Sequence, residues 1–100
     1  MKLQVQSIHF NADRKLIEYI QQRIEKLQTF YNRVVRGDVY LKLNNEGVEN
    51  KTVEIELHVR GRNLFAKEQA KSFETAVDNA TEALLTQLRK FKTKIKAGRA

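Results

Sequence analysis

Few side chains in this sequence are of a type that does covalent chemistry, and those few are scattered. Histidine occurs twice, at His9 and His58, and neither has a metal-ligand partner at a useful sequence spacing. Glu54 and Glu56 occupy alternate positions of a strand-like run, so they share a face in the manner of a carboxylate pair. Nothing else in the chain completes an acid–base site, and a solvated sheet face with Lys42 or Arg60 as cross-strand neighbour accounts for them. His58 falls on that same polar face, where an exposed role is expected. Cysteine is absent, which excludes thiol nucleophiles, thiolate metal sites and disulfides. There is no glycine-rich phosphate loop either. The expectation is a protein that is not an enzyme, with no cofactor, no metal and no small-molecule substrate.

The residues that stand out are cations. The net charge is +7, yet residues 1 to 82 hold 13 Lys or Arg against all 12 Asp or Glu, a balance of only +1. Residues 83 to 100 hold Arg89, Lys90, Lys92, Lys94, Lys96 and Arg99 with no acid among them. Cations near a helix C-terminus complement the dipole by about 0.3–1 kcal/mol each, which suits one or two lysines in a last turn but not six across eighteen residues. A one-sided charge of this kind is a footprint for a polyanion.

Such cations must be carried by an element. Phe73, Val77, Ala80, Leu84, Leu88, Phe91 and Ile95 recur at steps of 4, 3, 4, 4, 3 and 4, a helical stripe with Ser72 as N-cap. The helix is acidic early, at Glu74, Asp78 and Glu82, and basic thereafter. Upstream, Leu16, Ile20, Ile24, Leu27 and Tyr31 make the core stripe of a first helix, widened by Ile17 and Phe30. Asn11 is its expected N-cap, with Asp13 in the first turn. Lys2 to Ser7 reads as a short strand. Val39, Leu41 and Leu43 alternate with Tyr40 and Lys42, and Val53, Ile55, Leu57 and Val59 alternate with Glu54, Glu56, His58 and Arg60, marking two half-buried strands. Asn44-Asn45-Glu46-Gly47 marks the loop between them. Arg60-Gly61-Arg62-Asn63 marks a tighter hairpin into a fourth strand from Leu64 to Ala70, its two arginines readable as RNA contacts but expected by default to be solvated turn residues.

The order β-α-β-β-β-α predicts an α+β fold: a four-stranded antiparallel meander with both helices packed on one face. One hundred residues fit a single domain, placed at residues 1–96 with a short tail at 97–100. No apolar run is long enough to span a membrane, and no secretory leader is visible, so a cytoplasmic location is expected. From the first helix onward the α-β-β-β-α order is that of double-stranded RNA-binding domains, which read A-form RNA by shape and backbone. The lysine-rich helix start and histidine-bearing loop of those domains are missing: the last helix opens Ser72-Phe73-Glu74 and carries its cations at the other end.

The details of that last helix carry a closer likeness. Ala76-Val77-Asp78, then Leu84, then Gln87-Leu88-Arg89-Lys90-Phe91-Lys92-Thr93-Lys94 resembles the C-terminal helix of the ribosome-hibernation promoting factors and ribosome-associated inhibitors of bacteria. Lys26-Leu27 followed by Phe30 and Tyr31 is similar to the end of that family's first helix, and Leu41-Lys42-Leu43 to its second strand. The likeness covers essentially the whole chain. It departs at Ala83 and Thr86, where family members often carry a basic pair. The sequence given ends at Ala100, without the second domain of long forms or the acidic tail of anti-dimerising short forms. The resemblance implies a protein that occupies the decoding channel of the small ribosomal subunit, over the mRNA and tRNA positions of the A and P sites. There it inhibits translation and preserves inactive ribosomes under stress or in stationary phase, by electrostatic docking. It further implies rRNA-backbone contacts at Lys26, Lys42, Arg89, Lys90, Lys92 and Lys94, to which Arg23 is added from its place on the first helix's polar face.

The partners expected are thus the small subunit and its rRNA, with no membrane and with the free protein a monomer. Two other readings fit the composition: a general structured-RNA-binding module, and a basic protein-interaction domain that meets an acidic partner.

Overall fold

Alternation fixes the sheet. The computed structural model describes residues 1–44 and 47–98, with side chains through Thr93, so part of the Asn44–Gly47 loop and the side chains of Lys94, Ile95, Lys96 and Arg99 lie outside the described residues. Six elements follow in order: β1 (Lys2–Ile8), α1 (Arg14–Phe30), β2 (Val34–Leu43), β3 (Lys51–Val59), β4 (Arg62–Ala70) and α2 (Phe73–Gly98). Val39 and Leu41 face the core from β2, opposite Ile55 and Val53 of β3, and all four are fully buried. Leu57 and Ile55 in turn lie beside Leu64 and Ala66 of β4. Between them Tyr40, Lys42, Glu54, Glu56 and His58 point to the other, open face.

The sheet order is β1-β2-β3-β4. Strands β2 to β4 form the expected antiparallel meander, but β1 pairs parallel to β2, so the sheet is mixed. The reason is α1. A helix between two adjacent strands carries the chain back to the end at which it began, and the next strand then runs in the same direction.

Both helices cover one face of this sheet. Leu16, Ile20, Ile24, Leu27 and Tyr31 of the first stripe are buried, as are Phe73, Val77, Ala80, Leu84 and Leu88 of the second; Ile17, Phe30 and Phe91 are half-buried. Burying side chains of this size contributes about 1.5–3 kcal/mol each, so these stripes also fix how each helix is rotated. The cap of α1 is not Asn11. Asp13 holds that place, its Oδ1 accepting from the Leu16 amide at 2.8 Å while its carbonyl accepts from the Ile17 amide. Phe10 stacks on Phe73 at 4.9 Å, which ties the β1–α1 connection to the second helix. The Ser72 cap is as expected, its Oγ accepting from the Thr75 amide at 3.1 Å. With 26 residues α2 is about 39 Å long, in a molecule 50 × 24 × 17 Å in extent.

Candidate nucleic-acid interface

The rotation of α2 decides where its cations go. Leu84 and Leu88 are fully buried, and Phe91 extends their stripe by meeting Tyr31 edge-on at 5.9 Å. Arg89 and Lys92, one turn apart, then fall on the side towards the end of α1. There they converge on Phe30: the Arg89 guanidinium carbon lies 5.9 Å from the ring centroid and the Lys92 ammonium 4.8 Å from it. Lys92 Nζ also donates to the Phe30 carbonyl at 3.4 Å, where a cation complements the negative end of the α1 dipole. Phe30, Arg89, Lys92 and Thr93 line an open notch of about 320 Å³.

Lys90 falls on the opposite side of α2, above β4. It lines a second notch with Arg62, Leu64, Gln87 and Phe91, and Gln87 secures the helix there by donating to the Phe65 carbonyl at 2.9 Å. Arg62, exposed at the hairpin as expected, thus lies beside the basic end of α2. Its only sign in the sequence is its place at a tight hairpin tip, a position that by itself does not say which helix lies alongside.

Arg23 and Lys26 share a third notch with Leu27, Thr81, Glu82 and Leu85 at the α1–α2 seam. Arg23 is engaged within the protein. Its Nε lies 3.1 Å from Asp78 Oδ1, although it is not aligned for a hydrogen bond. Tyr19 donates its hydroxyl to that same oxygen at 2.5 Å. This hydrogen bond, helped by burial and by the Asp78 charge, pushes the Tyr19 hydroxyl above its ordinary pKa and keeps its proton on. The other helical cations are uncommitted: among the described residues, Lys26, Arg89, Lys90 and Lys92 have no carboxylate within ion-pair distance. Lys42 is exposed on the open face of the sheet, away from all of them. The Lys94 side chain lies outside the described residues.

That open face holds a group which sequence spacing did not reveal. Asp38 of β2 lies opposite Glu56 of β3. His58 Nε2 stands 3.0 Å from Asp38 Oδ2 and 2.9 Å from Glu56 Oε1, and its Nδ1 is 3.1 Å from Asn63 Oδ1. Arg36 Nε donates to the other Asp38 oxygen at 3.0 Å and Arg36 also reaches Gln4. His58 is therefore half-buried and partnered, not a free exposed histidine. The cross-strand neighbours of the glutamates also differ from expectation: Glu54 faces Tyr40 and Lys67, and Glu56 faces Asp38 and Phe65, while Lys42 faces Thr52. One donor atom from each of Asp38, Glu56 and His58 lies within 4.8 Å of the others, close enough to share a divalent ion. Arg36 already balances Asp38 there. The partners lie across a strand pair, which is why they could not be seen in one linear sequence.

The helical side presents cations without carboxylate partners among the described residues, one pair of them against an aromatic ring, and the sheet side presents the Arg36–Asp38–His58–Glu56 network with Lys42 exposed beside it. The sequence matches, over residues 3–96, the model of the Sigma 54 modulation protein / S30EA ribosomal protein family. It is 32% identical over 81 residues to the ribosome hibernation promotion factor of Deinococcus radiodurans, covering 77% of this chain and 41% of that protein. It is 28% identical to the ribosome hibernation promoting factor of Escherichia coli K12, covering 96% of this chain and 98% of that one. The fold is shared with a ribosomal subunit interface protein from Coxiella burnetii at a TM-score of 0.84 and 19% identity, over 93% of this chain and 99% of that one. The N-terminal domain of Thermus thermophilus Protein Y superposes with a TM-score of 0.80 at 18% identity, over 91% of this chain and 99% of that domain. With nearly its whole length matched, this chain belongs to the Sigma 54 modulation protein / S30EA ribosomal protein family.

Proposed function

We propose that this protein is a ribosome hibernation factor that docks on the small ribosomal subunit in the mRNA/tRNA channel. It covers the A and P sites through contacts to the rRNA backbone, inhibiting translation and preserving inactive ribosomes under stress or in stationary phase. It works by occlusion, without catalysis, and acts in the cytoplasm as a monomer built on residues 1–96. Family membership sets the partner class, since relatives across the family are named for ribosome hibernation. The observation that carries the mode of binding is the set of unpaired cations, Lys26, Arg89, Lys90 and Lys92, on the helical layer. A cation without an internal carboxylate is free to replace counterions on a phosphate backbone. Arg62 joins them beside Lys90, and Lys94 continues the same helix. Arg23 stands beside Asp78 through its Nε, and its guanidinium carries further N–H donors with which to meet phosphate. Lys42 supplies a contact from the sheet side.

Pelleting with vacant small subunits tests this. Saturable, salt-sensitive binding that is displaced by mRNA and initiator tRNA together is the expected result. Co-sedimentation with ribosomes that neither ligand displaces would overturn the channel assignment.

A further inference from the structure

Of the surfaces described, the Phe30 notch has a composition that bare phosphate recognition does not require. Phosphates need cations alone, whereas here two cations of α2 converge on an aromatic ring supplied by another helix. Phe30 is half-buried at the last residue of α1, so its ring is anchored by the core yet open to the notch. Arg89 and Lys92 have no carboxylate partner among the described residues, so in the free protein they rest on the ring by cation–π attraction. That contact is weak at an exposed site and is exchanged readily for a phosphate. A ligand that satisfies all three groups must be flat and apolar at one end and anionic at the other. An RNA nucleotide out of its stack has that form, and aromatic rings and guanidinium planes are the surfaces on which such bases settle.

We infer that the Phe30–Arg89–Lys92 notch is a nucleotide-binding site that captures one unstacked RNA base, with Arg89 and Lys92 moving onto its flanking phosphates as the base takes their place against the ring. The notch, about 320 Å³ and lined by these residues with Thr93, accommodates a single base. This deepens the docking reading given above: it adds to a backbone contact the recognition of a bulged or looped-out position in the rRNA.

The test uses the full chain and two RNA hairpins that differ by one unpaired bulged nucleotide, with binding read by fluorescence anisotropy. The parent protein should prefer the bulged hairpin by roughly five- to a hundredfold, the range of one base–aromatic stack. Phe30→Leu retains an apolar side chain for the core but has no aromatic face, so it should erase that preference while leaving the salt slope unchanged, because no phosphate contact is removed. Phe30→Tyr should retain the preference. Thermal melts of both variants establish that the fold persists. Equal binding of the two hairpins by the parent, or an undiminished preference in Phe30→Leu, overturns the site. Pelleting with small subunits, run alongside, separates the two ideas: a Phe30-dependent bulge preference without subunit binding leaves the notch standing and sinks the docking reading. Subunit binding with no bulge preference does the reverse.

Discussion

On the open face of the sheet, Asp38 is gripped by Arg36 and His58, and Glu56 shares the same imidazole. On the helical layer, Arg89 and Lys92 lean on a phenyl ring and Lys26 and Lys90 have no carboxylate beside them among the described residues. Both faces are rich in charge, but Asp38 and Glu56 on the sheet side are met by Arg36 and His58, whereas four cations of the helical layer have no carboxylate beside them among the described residues. Paired surface charges add little to stability, a median of about 0–1 kcal/mol. Unpaired cations gathered in one place are costly to the compact state through self-repulsion. An external anion would offset that cost, which is why the helical layer is the docking surface proposed above.

The largest expected effect lies beneath both faces. Leu88 is fully buried under the basic end of α2, so Leu88→Ala should cost about 2–5 kcal/mol through lost burial and a cavity. A thermal or urea melt measures it. An unchanged midpoint would mean that α2 is rotated differently, and with it every cation assignment on that helix.

Next in size is the charge reversal Arg89→Glu with Lys92→Glu. It should weaken small-subunit binding on the order of a hundredfold at moderate salt, because attractive phosphate contacts become repulsive. Stability should fall by about 1–2 kcal/mol in all, since both cation–π contacts to Phe30 are lost, with some added loss from placing anions near the helix C-terminus. A variant that stays folded and pellets like the parent removes the helical layer from the interface. Reversing Lys90 and Lys92 together asks the same question of both sides of the helix at once.

The sheet face should respond in the opposite sense. Asp38 is nearly buried, with a side chain 9% exposed, and Asp38→Ala leaves Arg36 and His58 without their shared acceptor. A loss of about 1–3 kcal/mol in stability is expected, with subunit affinity changed by less than about twofold once both proteins are folded, since Asp38 is held within the protein by Arg36 and His58 and offers phosphate no cation. Equilibrium unfolding and pelleting of the same preparation check the pair of outcomes. A large affinity loss without a stability loss would reverse the roles assigned to the two faces.

What the sequence disclosed follows the range over which each signal acts. The helical stripes and the alternating strands depend on neighbours two to four residues apart, so the elements and most of the core were legible. The direction of β1 was not, because pairing two strands across an intervening helix leaves no local trace in either. Asn11 and Asp13 are both good caps by residue type, and the composition of the segment does not say which one takes the Leu16 amide. The basic end of α2 was visible as a run of cations. Its division into a Phe30 side and an Arg62 side was not, since that depends on what packs on each flank. The same holds for Arg23, which reads as a free surface cation until Asp78 is brought up from the other helix.

Lys42 is the residue on which the contrast between faces is most sharply tested. Its likeness to a basic family position makes it a proposed RNA contact, whereas the fold puts it on the sheet side, exposed and paired across the strands with Thr52 rather than with an acid. It thus has the unpaired character of the helical cations and the location of the other set. If the subunit's cleft closes around the domain, Lys42 meets phosphate from the far side. Lys42→Ala should then lower affinity severalfold, uniformly across RNA sequences, and make the log–log salt slope shallower by about one, the signature of a single lost phosphate contact. Against a parent slope of roughly −4 to −5, set by about six phosphate contacts, a change of that size is measurable from a salt series in subunit pelleting. A slope and affinity identical to the parent's would confine the RNA to the helical layer, and would show that an exposed, unpaired lysine can match a family position without touching the ligand.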